Sequence, residues 1–250
     1  MKKRKSTIII CASCLFWTAV WLVLAAVVKN GLLLPGPVAV FSRLGELALT
    51  EKFIISVLKS VGNVMLGFIT GNILGIAVGI ISGVSEDFET FIRLPMTVIK
   101  ATPVASFIII ILVWLGRDLT PACTSFLIVL PIIWENVAAG VKKADRALIE
   151  MATVFRLRPS ARLKYIYLPQ ILPVYTASVK SGIGLAWKAG VAAEVLVAAR
   201  NTLGGQIYNS KITLEITDLF AWTTAVVIAS LIIEVAAGGV LGKLQEKAKK

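Results

Sequence analysis

Residues Val141–Pro173 read VKKADRALIEMATVFRLRPSARLKYIYLPQILP, the longest polar interval between two strongly apolar blocks of the chain. The interval holds seven Lys or Arg (Lys142, Lys143, Arg146, Arg156, Arg158, Arg162 and Lys164) against two acids, Asp145 and Glu150. Its first part keeps helical periodicity, with Leu148, Ala152 and Phe155 on one face and Ala147 and Met151 beside them. Pro159-Ser160 breaks that pattern, a second short basic segment follows, and Leu168-Pro169 stands just before the next apolar run. A solvated basic loop needs no apolar stripe. Two short amphipathic helices held at a membrane face fit the pattern better.

The flanking blocks set the class. The chain is 57% hydrophobic with a mean hydropathy of +0.86, above the roughly 45–50% apolar share of soluble domains. Its apolar residues come in blocks of membrane-spanning length. The reading is an all-α integral membrane protein, one domain over residues 1–250. Its six spans are Thr7–Val28, Ile54–Gly83, Phe91–Leu115, Ala122–Gly140, Ile171–Ala199 and Leu219–Leu241, with residues 141–170 as the central loop. Six spans place both termini on one side. That side carries 17 Lys or Arg against 7 on the other, so the positive-inside rule puts both termini and the central loop in the cytoplasm. The formal charge of +12 is therefore a topology signal and does not call for nucleic acid. The basic N-terminus leads into an apolar run too long for a secretory signal core, so it reads as an uncleaved first span. Cys11 and Cys14 form a CxxC inside that span; with Cys123 the count is odd, and packing is the expected role of all three.

Along the chain, Val38, Phe41, Leu44 and Leu47 follow Leu34-Pro35-Gly36-Pro37 at helical spacing, which suggests a short helix in the outer interface. Gly67, Gly71, Gly75, Gly79 and Gly83 recur every fourth residue of the second span, a smooth groove for close approach of another helix. An acidic turn is expected at Ser85–Glu89, tight outer turns at Gly116–Pro121 and Arg200–Gln206, and a kink at Pro131. The fifth span contains Lys188 near its middle and Glu194 nearer its outer end. A mid-membrane charge costs about 2.5–3.5 kcal/mol on insertion scales, so such residues face protein or water. Trp187, Val191 and Glu194 share a face, whereas Lys188 points about a third of a turn away from Glu194. Lys188 and Glu194 either line a water-accessible path, with Trp187 and Glu135 as further candidates, or pair with neighbouring spans. Glu135-Asn136 and Glu234 are the available partners. No histidine and no GxxxxGK[ST] motif occurs, which excludes His-based acid–base or nucleophile systems and P-loop ATP binding by this chain. No catalytic residues, cofactor or metal site are expected.

Glu150-Met151-Ala152, Arg156, and Ile166-Tyr167-Leu168-Pro169 reproduce, without a gap, the spacing of Glu-Ala-Ala, three residues, Gly, nine residues, Ile-x-Leu-Pro. The interval resembles the EAA loop of ABC-importer permeases, with Met151 in place of the first Ala and Arg156 in place of Gly. The Gly position is a left-handed turn between two short helices, costly for Arg. Asn30–Pro37, Ser60–Gly79, Ile111–Gly116, Gly184–Trp187 and Ala193-Glu194 are similar to the nitrate/sulfonate/taurine branch of that family. The resemblance implies a type I importer permease of the bacterial cytoplasmic membrane, itself not an enzyme and working as a homodimer. Its implied partners are two cytoplasmic ATPase subunits and an extracytoplasmic substrate-binding protein. It implies a cytoplasmic coupling helix, so that Asp145, Arg146, Glu150, Met151, Ala152, Phe155 and Arg156 belong to an ATPase-docking segment whose following turn is fixed by Ile166, Leu168 and Pro169. The cargo implied is a small anion such as a sulfonate or nitrate, or a vitamin precursor. A self-sufficient secondary transporter or channel is the alternative reading; it would need a charge relay and paired inverted halves.

Overall fold

The glycine stripe decides how the helices meet. The computed structural model describes residues 2–28 and 33–248, and those residues hold helices and short connections with no strand. Helix α3 (Glu51–Val84) lies against the second half of α5 (Val104–Lys142). A Cβ on Gly71, Gly75, Gly79 or Gly83 would sit 3.0, 2.8, 2.8 or 2.4 Å from the Cβ of Val129, Ile133, Val137 or Val141. Both sets rise in steps of four residues in the same direction, so the two helices run parallel, each glycine opposite one β-branched residue. At the far end a Cβ on Gly67 would lie 2.0 Å from the carbonyl oxygen of Ala122. Backbone contact this close is possible only without a side chain.

Helix α8 (Leu168–Leu196) completes the centre. Val64, Val129, Ile133, Val137, Ile171, Val179, Ala186 and Val191 form one buried cluster with Trp187 and Trp222, and the Ser125 hydroxyl donates to the Ala186 carbonyl at 3.1 Å. Helix α10 (Ile216–Ala248) packs on the outside of this core. Helix α1 (Lys2–Val28) touches the rest through Trp21, whose ring stacks on Phe220 and whose indole donates to the Pro35 carbonyl. The amphipathic helix expected after Pro37 is α2 (Pro37–Ala48), with Val40 and Leu47 buried. It is tied to α10 by a bidentate contact from Arg43 to Asp218, at 2.6 and 3.0 Å. That contact and Glu46 hold the Arg43 guanidinium even more firmly protonated than usual. The expected resemblance at Asn30–Leu32 and the side chain of Cys11 lie outside the described residues; Cys14 is a free, exposed thiol.

Among the described residues, three helices are long and apolar enough to cross a membrane: α3, α5 and α10 over Ile216–Gly242. The others need description. The third span, expected as Phe91–Leu115, consists of two pieces. Helix α4 (Glu86–Ala101) starts at Ser85, whose hydroxyl accepts from the Phe88 amide, with Glu86, Asp87 and Glu89 in its first turn. It ends at Thr102, which is extended ahead of Pro103 as a residue preceding proline should be. The chain resumes in α5 and reverses at Gly116, whose φ of 74° lies in the left-handed region open to glycine. Val104, Ile108 and Leu112 thereby fold back on Cys123, Leu127 and Ile128. The outer turn expected over Gly116–Pro121 is thus confined to Gly116, since Arg117–Pro121 are already helical. Backbone angles stay helical through Pro131. The turn expected over Arg200–Gln206 is similarly shortened by α9 (Leu203–Ile212), which the apolar pattern alone does not announce.

Candidate functional site

The basic interval folds into a capped helix and a bent one. Asp145 caps helix α6 (Arg146–Val154), its carboxylate accepting from the Ala147 amide at 2.9 Å. The helix closes with the Leu157 amide donating to the Ala152 carbonyl and the Arg156 amide to the Thr153 carbonyl, at 2.9 and 3.1 Å. This paired closure is the Schellman pattern, and it demands a left-handed residue at Arg156. Arg156 adopts it, with φ of 49°. The turn geometry that glycine would supply is therefore kept by arginine at some backbone cost. Arg162 reinforces it: Nε donates to the Leu157 carbonyl and Nη2 to the Ala152 carbonyl, both at 3.2 Å.

After α7 (Pro159–Arg162) the chain passes without interruption into a wide turn, Leu163–Tyr167, in which the Leu168 amide donates to the carbonyl five residues back. The wide turn brings the helix past Pro169, which has no N–H to give and would clash in a regular turn. Leu168-Pro169, expected just before the apolar run that begins at Ile171, already forms the first turn of α8.

Side-chain burial sorts the loop residues. Ala152 is fully buried, packed with Ala144 and Ile166 and bordered by Ile149 and Tyr167. It supports the loop from within. Met151 is half exposed, while Val154 and Phe155 are 78% and 71% exposed, and Glu150 also faces outward. Leu168 and Pro169 are exposed as well. Nothing is described of the Arg146 side chain. The loop is anchored to the bundle by a contact that the sequence pattern does not show: Glu89 on α4 receives both Lys142, at the end of α5, and Arg93 at 3.2 Å. These cations hold the Glu89 carboxyl below the usual range.

The intramembrane candidates separate into three situations. Glu194 is fully buried and accepts from the Ser60 hydroxyl at 2.6 Å, the Asn63 amide at 3.4 Å and the Gly204 backbone amide at 3.2 Å. Ser60 in turn accepts from the Leu203 amide at 2.8 Å, and Thr202 from the Gly205 amide at 3.0 Å. The first three amides of α9 are thus all satisfied, and Glu194 joins α3, α8 and α9. A Cβ on Gly204 would lie 2.4 Å from that of Glu194, so this joint also requires glycine there. Trp187 is buried and donates to the Val226 carbonyl at 3.2 Å, fastening α8 to α10. Trp187, Val191 and Glu194 do share a face, and it is the packed one.

Glu135 and Lys188 are exposed. Glu135 pairs with Lys100 at 2.6 Å across α4 and α5. Lys188 makes no ion pair among the described residues and lies on a stripe of α8 with exposed Ser181, Leu185, Ala192 and Leu196. The structure therefore does not bring Lys188, Glu194 and Glu135 together. Asn136 donates within its own helix, to the Ile132 carbonyl. Glu234 accepts from Ser230 next to Gly184.

The helices and their packing define a multi-pass, all-helical membrane protein whose longest non-spanning insertion is the capped basic loop. Residues 71–249 match the family of binding-protein-dependent transport system inner membrane components. The chain belongs to this family, the permease components of ABC transporters, and that match takes in the loop and the whole α5–α10 bundle. It is 29% identical over 217 residues to a probable ABC transporter permease protein of Brucella melitensis, covering 86% of each chain. It is 25% identical over 207 residues to the putative aliphatic sulfonates transport permease protein SsuC of Bacillus subtilis, covering 81% of this chain and 74% of that one. With the taurine transport system permease protein TauC of Escherichia coli it shares 23% identity over 237 residues, 92% and 86% of the two chains. A crystal structure of an amino acid ABC transporter has the same fold, with a TM-score of 0.63 at 15% identity, covering 82% of this chain and 97% of that one.

Proposed function

We propose that this permease works in an ATP-driven importer and receives its driving force through α6. The observation that carries the reading is the sorting of the loop: one face of α6 is packed on Ala144 and Ile166, and the other offers Met151, Val154 and Phe155 to a partner, with Glu150 beside them. Exposed apolar residues on a rigidly capped helix are suited to a hydrophobic groove. The partner is a separate ATPase, because this chain has no phosphate-binding loop of its own. Two ATPase subunits, a second copy of the permease and an extracytoplasmic binding protein complete the assembly. Both termini and the loop lie in the cytoplasm, in keeping with the bias of basic residues. ATPase closure moves α6, and Glu89–Lys142 and Arg162 pass that motion to the bundle as a rigid-body rotation.

The cargo is a small anion. Relatives named for aliphatic sulfonates and taurine favour this class, and Lys188, unpaired among the described residues on the exposed stripe of α8, supplies a cation where the path would run.

Co-expression with the cognate ATPase tests the reading. Glu150→Ala and Phe155→Ser are expected to lower ATPase co-purification and transport-stimulated hydrolysis while the bundle keeps its thermal stability. Transport by the chain alone in liposomes would overturn it in favour of a secondary transporter, with Lys188 as the first residue to examine.

A further inference from the structure

We propose that a groove between α3 and the start of α8 holds an acyl chain of an anionic phospholipid, whose headgroup is bound by the basic segment Arg156–Lys164. The groove has a volume of about 410 Å³ and is walled by Ile76, Ile80, Leu168, Ile171, Leu172 and Tyr175. At its upper end the Tyr175 hydroxyl donates to Asn72 at 3.2 Å, closing it toward the bundle centre. Its other end opens beside Ser160, Leu163 and Lys164.

Three observations select a lipid as the occupant. The first is depth: from Leu163 to Tyr175 the helix climbs roughly 18 Å at ~1.5 Å per residue, close to one leaflet of a hydrocarbon core about 30 Å thick. The second is setting. The α3 wall continues into exposed Ile69, Ile73 and Ile81, an apolar surface facing outward from the bundle, so the groove opens where acyl chains are. The third is charge. Between Glu150 and Glu194 the chain has no acid, and Lys164 lines the open end of the groove, with Arg156, Arg158 and Arg162 preceding it within nine positions of the sequence. Lys164 makes no ion pair among the described residues; its ammonium sits 5.3 Å from the Tyr165 ring centroid and stays exposed. An apolar slot with a cationic mouth matches the two ends of an anionic phospholipid. Assignment to the inner leaflet rests on the cytoplasmic placement of the loop proposed above; the slot and its charge do not.

The test uses the full chain purified in detergent and exchanged with mixed micelles of phosphatidylglycerol or phosphatidylcholine of identical acyl chains, with retained lipid counted by native mass spectrometry. Phosphatidylglycerol is expected to be retained preferentially. Lys164→Glu is expected to lower its retention by at least about fivefold, the weight of one surface charge, and to leave phosphatidylcholine unchanged. Lys211→Glu, at the opposite end, serves as the control and changes neither. Leu172→Trp, which fills the slot, is expected to reduce retention of phosphatidylglycerol; Leu172→Phe, which fills it less, is the milder variant with the same expected direction if tryptophan prevents folding. Equal retention of the two lipids, or indifference to Lys164→Glu, overturns the proposal. Disulfide-linked dimers from Leu172→Cys in a background without Cys11, Cys14 and Cys123 also overturn it, because a second copy then fills the slot. None of these readouts involves an ATPase, so failure here leaves the coupling role of α6 standing, and failure of coupling leaves lipid retention standing.

Discussion

Glu194 shows how much one side chain can fix. Its carboxylate takes the Ser60 hydroxyl, the Asn63 amide and the Gly204 amide in a site closed to solvent. Glu194→Ala leaves those donors without a partner, each such loss being worth about 1–3 kcal/mol. The expected result is a marked fall in thermal midpoint in detergent, with Glu194→Gln falling less because it keeps an acceptor oxygen and the volume. Arg156 makes the opposite prediction. It stands in left-handed backbone at φ 49°, a conformation costing non-glycine residues roughly 1–2 kcal/mol. Arg156→Gly should therefore stabilise the loop by about 1 kcal/mol, read as slower hydrogen exchange at Thr153–Leu157. The sequence contains the arginine and the Glu194–Gly204 pair in plain view. It does not contain the distances that make one a strained cap and the other a three-helix joint, because Ser60 lies 134 positions from Glu194.

At the level of helices, spacing was the reliable signal and boundaries were not. Glycines every fourth residue foretold a close partner for α3, and α5 is that partner. The apolar run Phe91–Leu115 foretold a crossing, but periodicity does not register that Thr102 must extend before Pro103. It also gave no sign of α9, whose first turn is held by Ser60, Glu194 and Thr202. The α3–α5 contact predicts a graded series. Gly71→Ala, with 3.0 Å to Val129, should be the mildest, and Gly67→Ala, driving into the Ala122 backbone, the most damaging, within the ~1–3 kcal/mol typical of overpacking. Val141→Gly should relieve the clash of Gly83→Ala, which is with the Val141 side chain beginning at its Cβ, whereas Val141→Ala keeps that Cβ and should relieve it only in part; no side-chain change should rescue Gly67→Ala. The anchor of the loop predicts a pH effect. A carboxyl held below its ordinary value stabilises above that value and ceases to do so as it is protonated. The Glu89 contribution is thus complete above about pH 4.5 and fades as the pH falls below it. Proteolysis of the loop should distinguish the wild type from Glu89→Gln at neutral pH and cease to do so in acid, because the variant lacks the contribution at every pH.

For the whole molecule, the charge bias makes a prediction about sidedness. Ser160→Cys and Thr213→Cys, both at exposed positions and in a background without native cysteines, should be labelled by impermeant thiol reagents from opposite faces of the membrane, Ser160→Cys from the cytoplasm. The class of protein was readable from hydropathy, and the family from the Glu150 to Pro169 spacing. The division of labour among charged residues was not, since burial separates Glu194 from Lys188 and no pattern along one helix reveals it. The paired teeth of α3 and α5 have a mechanical consequence. They form a rack whose pitch is four residues, about 6 Å, so any smaller slip drives Val129, Ile133 and Val137 out of their notches together. The two helices can travel only as one body. Motion that opens or closes this permease must then flex at the joints that carry no teeth, the extended step at Thr102-Pro103 and the reversal at Gly116.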